Sequence, residues 1–148
     1  MNILNKSVDV TEKKISLRHI GYKIVSKEDN EAAVNQILNS ISAYFQNNKK
    51  YTLNKVILFG SRNRDDYKWD SDFDFVVVVN EDISVDEKYF IWNGILDKIA
   101  EKRYYKGEIL DVELIVSGLK NYNTAINFVG HILRYANKEG RVLSGQIL

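Results

Sequence analysis

Four acidic side chains stand at the mouths of two apolar runs. In "SDFDFVVVV" Asp72 and Asp74 flank Phe73, and in "ILDVELIV" Asp111 and Glu113 alternate with Leu110, Val112 and Leu114. Residues two apart on a strand share a face, so Asp72 and Asp74 project together with their Cα atoms about 7 Å apart. At an effective dielectric near 20 two such charges repel by roughly 2 kcal/mol, and one divalent cation between them reverses the sign. If the two runs are neighbouring strands, at least one of Asp111 and Glu113 joins the pair, and alternation alone does not separate them. A three-carboxylate cluster suits one or two magnesium ions, and with them in-line phosphoryl or nucleotidyl transfer.

A second group of residues could hold the phosphates such chemistry needs. "VILFGS" is a buried run ending at Gly60 and Ser61. Glycine there permits a tight turn and close backbone approach, and Ser61 offers a hydroxyl beside exposed amides. Arg62 and Arg64 follow, and guanidinium groups are good bidentate phosphate partners, although either could instead pair with Asp65, Asp66 or Asp70. Trp69 could stack on a base or simply pack, "KRYYKG" reads as a turn, and His131 reads as structural.

These groups need elements to position them. "DNEAAVNQILNSISAYFQNN" predicts a helix from Asp29, with Val34, Ile37, Ile41 and Tyr44 on one face. Residues 53–59 and 73–79 predict two buried strands. "SVDEKYFIWNGILDKIAEK" predicts a second helix, with Ser84 and Glu87 as a capping box and Val85, Tyr89, Trp92, Leu96 and Ile99 as its apolar stripe. "EILDVELIVS" predicts a third strand, and "NTAINFVGHILRYANKEG" one final helix capped by Asn123 and stopped by Gly140. That order describes an α/β layer, a small mixed sheet flanked by helices.

Composition narrows the classes of function. The 148 residues, 45% hydrophobic and 28% charged, predict one domain, residues 1–148, in which 1–28 is an N-terminal extension marked only by the alternation of Ile20, Tyr22 and Ile24. A net charge of +1 supplies no global field for nucleic acid or an anionic membrane. Zero cysteines and two histidines, His19 and His131, exclude thiolate zinc sites and leave hard oxygen ligands. No signal-peptide pattern and no membrane-length apolar stretch are present, so a cytoplasmic protein is expected.

Gly60-Ser61, ten residues, then Asp72-Phe73-Asp74 resembles the GS-x10-DxD signature of the nucleotidyltransferase superfamily related to DNA polymerase beta, in particular its minimal nucleotidyltransferase branch. The resemblance runs from about Lys55 through Gly140 and includes the hydrophobic-Asp-hydrophobic step Leu110-Asp111-Val112. It implies that Gly60 and Ser61 hold the nucleotide phosphates, next to the Arg62 that guanidinium chemistry offers for nucleotide binding. It implies further that Asp72 and Asp74 bind magnesium and that Asp111 is the third carboxylate, with Glu113 a step further along the strand. Asp65 departs from the pattern, since many relatives carry glycine there.

The activity implied is magnesium-dependent transfer of a nucleoside monophosphate, most simply AMP from ATP, to an acceptor hydroxyl. Many small members that the chain resembles are antitoxins paired with a HEPN-domain toxin, and some modify a tyrosine of that partner. Two alternatives stand beside this: a partner-binding module that acts by contact alone, and a transferase for a small molecule such as an aminoglycoside. An oligomer is compatible with all three.

Overall fold

The computed structural model describes residues 23–143, so Ile20 and Tyr22 of the N-terminal alternation lie outside the described residues. The described chain opens with helix α1 (Lys27–Asn47), then strand β1 (Leu53–Phe59), the short helix α2 (Ser61–Arg64) and strand β2 (Phe73–Val79). Helix α3 (Val85–Glu101) leads into a hairpin of β3 (Tyr104–Tyr105) and β4 (Glu108–Ile109), then strand β5 (Val112–Gly118). Helices α4 (Leu119–Ala125) and α5 (Ile132–Glu139) and strand β6 (Arg141–Val142) complete it.

The main sheet has the order β5-β2-β1-β6, with β1 antiparallel to β2 and β6, and β2 parallel to β5. It is the mixed sheet with flanking helices that the sequence predicts. Strand β2 lies between two others, and Phe75 to Val79 are fully buried on both faces, as an aromatic and β-branched run favours. One face, with Val56, Leu58, Phe73, Phe75 and Val77, packs in one core with Ile37 and Ile41 of α1 and Ile91 and Ile95 of α3. The other, with Ile57, Phe59, Val76 and Val78, packs on Tyr122, Ala125, Leu133 and Ala136 of α4 and α5.

Helix α1 buries Val34, Ile37, Ile41 and Tyr44 as their spacing requires, but it starts two residues before Asp29. Ser26 is the N-cap: its hydroxyl oxygen accepts the Asp29 N–H at 3.0 Å and its proton goes to Asp29 Oδ2 at 2.8 Å. In α3 the capping box forms, but the apolar stripe is a different one. Ile91, Ile95 and Ile99 are buried, whereas Val85 and Tyr89 are 68% and 62% exposed. Two apolar stripes lie side by side on this helix, and the aliphatic one, which interdigitates better with a β-branched sheet, takes the inside.

Two predicted elements are each divided. The run 108–117 breaks at Leu110-Asp111, because Glu108 and Ile109 pair back to Tyr105 and Tyr104 in the hairpin before β5 begins. The predicted final helix is two, with Asn123 inside α4 rather than capping it. Gly130 adopts φ 85, a left-handed turn that ends any helical run, and His131 then caps α5 by accepting the Leu133 N–H at its Nδ1. Gly140 closes α5 as expected.

The choice of stripe on α3 is open to direct test. Ile95→Ala should destabilise the protein by about 2–5 kcal/mol, and Tyr89→Ala by less than about 0.5 kcal/mol. Urea denaturation measures both, and equal losses would place the wrong face against the sheet.

Candidate active site

The site lies where β1 ends and β2 begins, on the face that carries α4 and α5. Gly60 stands between β1 and α2 with φ 77 and ψ −163, a conformation nearly confined to glycine. A Cβ at this position would overlap the carboxylate of Asp74. Glycine is therefore required twice, for the turn and for the space that Asp74 occupies. Its carbonyl accepts the N–H groups of Asn63 and Arg64 at 3.1 and 3.2 Å, closing the short helix that Ser61 opens. Asp65 ends that helix at φ 69, where glycine would be unstrained; aspartate is one of the few other residues that tolerates the left-handed region.

Asp72 is exposed directly before β2, and Asp74 is half-buried as its second residue. Asp74 pairs with Phe59 on one side and, in the parallel ladder, with Glu113 on the other. The ladder sets Glu113 level with Asp74 rather than beyond the aspartate pair, and the step before Phe73 and Val112 leaves Asp111 at the level of Asp72. Asp111 lies before the strand proper, where its carbonyl accepts the Phe73 N–H at 2.8 Å. The structure thus brings Asp72 and Glu113 into electrostatic reach of Asp74 and sets Asp111 one step before Glu113.

The electrostatics of Asp74 record that crowding. Burial first, then the negative charges of Asp72 and Glu113, push its carboxyl up to about 6, and Arg64 only partly opposes them. Among the described residues no three carboxylate or histidine side chains stand close enough together to hold a metal ion by themselves, so Asp72 and Asp74 would share one with ligand oxygens. The donor set is hard oxygen and open, which is the form magnesium favours when phosphate oxygens and water complete its octahedron.

Around the carboxylates stand two arginines in different situations. Arg64 is exposed; its Nε donates to Asp66 Oδ2 at 3.2 Å and its Nη1 to the hydroxyl of Tyr135, whose ring meets Phe59 edge-on at 6.2 Å. Arg62 is 2% exposed, with its guanidinium on the carbonyls of Ile24, Trp69 and Ser71 and on Asn30 Oδ1. The sequence reading placed Arg62 beside the phosphates; the structure directs its donors into the protein. Alternation leaves Glu113 open beside Asp111 as the third carboxylate, and the ladder pairs it with Asp74. Tyr135 was not legible, since the sequence carries no signal for it.

A pH dependence follows from Asp74. Its pKa is raised on folding, so between about pH 4 and pH 6 the folded chain binds a proton that the unfolded chain has released. Stability should fall as pH rises through that window when no cation is present. Asp74→Asn, which removes the charge, should raise the melting temperature in EDTA at pH 7.5 by roughly 3 °C, with no gain at about pH 4. Scanning calorimetry at the two pH values decides it; a lower melting temperature for the variant at pH 7.5 would show that the carboxylate is a structural acceptor.

The polymerase beta nucleotidyltransferase family model matches residues 39–121, more than half of the chain, and spans both strands that carry the carboxylates. No curated protein matches the chain. Two solved structures are similar to it in part. One is described as a candidate nucleotidyltransferase from Sulfolobus solfataricus, at 20% identity and TM-score 0.44, covering 66% of this chain and 75% of that one. The other is a mutant of the toxin-antitoxin MntA-HpeT, at 16% identity and TM-score 0.39, covering 71% of this chain and 69% of that one. At those values neither structure carries the assignment, which rests on the family match and on a mixed sheet bearing the Gly-Ser turn opposite the paired aspartates. The chain belongs to the polymerase beta nucleotidyltransferase family.

Proposed function

We propose that the protein transfers a nucleoside monophosphate, AMP from ATP, to an acceptor hydroxyl with magnesium bound at Asp72 and Asp74 and with Glu113 as the third carboxylate. The observation that carries this reading is the pairing of Asp74 with Glu113 beside the Gly60-Ser61 turn. Three like charges held within reach of one another lower stability, and a cation shared with a triphosphate turns that cost into affinity. When bound, magnesium neutralises the phosphate charge and aligns the α-phosphorus for in-line attack.

The chain's own groups do the rest. The Ser61 hydroxyl and nearby amides donate to phosphate oxygens, and Gly60 lets those oxygens approach the backbone. Arg64, already in the field of Asp74, offers an exposed guanidinium to the pyrophosphate that leaves. Glu113 takes the proton of the acceptor hydroxyl as its oxygen bonds to the α-phosphorus, and the α–β bridging oxygen departs with pyrophosphate. Asp111, one pair back, is a peripheral charge in this reading.

The acceptor proposed is a tyrosine hydroxyl of a HEPN-domain partner, in keeping with the resemblance to antitoxins of that pairing. A second reading, a partner-binding module without turnover, needs no three-carboxylate group, and none is found among the described residues. The sequence resemblance and the residue types also remain compatible with a cytoplasmic protein; among the described residues no helix is long and apolar enough to cross a membrane.

Incubation with each labelled nucleoside triphosphate, magnesium and the protein encoded by the adjacent gene tests the proposal. Label on a hydroxyl side chain of that protein is expected with ATP, whereas a tight complex without label would favour the contact-only module. Glu113→Ala should lower turnover by roughly 100-fold or more and Asp111→Ala by less than about tenfold. The reverse order would restore Asp111 as third ligand. Ser61→Ala should weaken ATP binding in magnesium by about tenfold, read by calorimetry, and equal ATP affinity with and without magnesium would count against the site.

A further inference from the structure

Among the described residues Arg62 is the largest fully buried side chain, and it has no carboxylate at ion-pair distance, although Asp70 and Asp72 lie within its field. A guanidinium buried without a direct ion pair is costly and persists only where its donors are satisfied. Here its Nε donates to the Ser71 carbonyl at 3.1 Å, Nη2 to the Trp69 carbonyl at 3.2 Å, and Nη1 to the Ile24 carbonyl at 2.7 Å and Asn30 Oδ1 at 3.2 Å. The Tyr67 and Phe73 rings lie 4.8 and 4.4 Å from its carbon centre. Asn30 returns a bond from Nδ2 to the Arg62 carbonyl at 3.0 Å, so helix α1 grips both ends of the residue.

The positions of these acceptors carry the argument. Arg62 directly follows Ser61, and Ser71 and Phe73 are the residues on either side of Asp72. From Asp65 to Asp72 the chain forms neither helix nor strand; beside the Arg62 bonds, Arg64 Nε on Asp66 Oδ2 at 3.2 Å and the Lys23 ammonium 5.4 Å from the Trp69 ring also tie it to the fold. Arg62 therefore closes the loop on itself and fastens it to α1. We infer that Arg62 is a positioning residue that sets the separation between the Ser61 hydroxyl and the Asp72 carboxylate by holding residues 65–72 closed. The inference rests on the proposed site for its functional meaning, but the closed loop is a property of the protein alone.

The test uses the full chain carrying Arg62→Lys, which keeps the charge and loses the fork, and Asn30→Ala, which keeps Arg62 and loses one acceptor and its reciprocal donor. Asn30→Asp, which keeps an acceptor, is the conservative control. Amide hydrogen exchange in the metal-free protein should quicken by about tenfold or more across 65–72 in both variants, while residues 75–79 of β2 keep wild-type protection. Affinity for Mn2+, read by electron paramagnetic resonance, should fall by roughly 10–100-fold, and Asn30→Asp should recover most of both. Should Arg62→Lys fail to fold, Asn30→Ala alone decides. Wild-type exchange in 65–72 in a folded variant, or quickening spread evenly over the whole chain, would overturn the inference. If the wild-type protein binds no Mn2+, the proposed site fails and the exchange measurement still decides the role of Arg62.

Discussion

The parallel pairing of β2 with β5 is the constraint on which the site depends. Strand β2 is buried on both faces between two partners, so a slip of one residue against either neighbour would turn every side chain toward the wrong layer. That fixed register leaves Asp74 no alternative to facing Glu113 across the ladder. Apolar burial of the Phe75–Val79 run holds in place an arrangement of charges that would not assemble by itself. Gly60 then has to be glycine, because Asp74 fills the space where a side chain would lie.

The first turn of α1 supplies a second level of order. Its adjacent residues Asp29 and Asn30 reach in two directions: Asn30 to Arg62 and the loop before β2, Asp29 to the Tyr105 hydroxyl at 2.9 Å and the Lys106 ammonium at 3.3 Å in the hairpin before β5. Gln36, two turns on, donates to the carbonyls of Lys102 and Tyr104 in the same hairpin. Both connections that deliver carboxylates are thereby fastened to one rigid helix. Fixing irregular backbone costs about 1–2 kcal/mol per residue in entropy, so such bonds are needed wherever a loop must hold a charge in place.

What the sequence made legible was local. The Val34–Tyr44 stripe, the Ser84–Glu87 capping box and the Gly60-Ser61 turn ahead of Asp72 and Asp74 each depend on neighbours a few residues away, and the structure contains all of them. The face of α3 was not legible, because two apolar stripes compete and only the partner surface selects the isoleucines. The level of Glu113 against Asp74 was hidden for a related reason: the strands are joined by a crossover, and no short turn fixes their register. Arg62 misled because an arginine beside a Gly-Ser turn reads as a phosphate ligand until the carbonyls that occupy it are known. Gly130 was visible as a residue, but nothing nearby marked it as part of a turn between two helices.

The separation of β2 from β5 along the chain has a consequence for synthesis. Strand β2 is complete at Val79 and β5 begins only at Val112, with α3 and the β3–β4 hairpin between them. As the chain emerges from the ribosome, β1 and β2 can pair and α1 can cover them while Asp72 and Asp74 are still the only carboxylates of the three at the strand mouth. Glu113 arrives later, carried by a strand that adds to the edge of β2. The third carboxylate is therefore the last to be laid down, after the pair it joins.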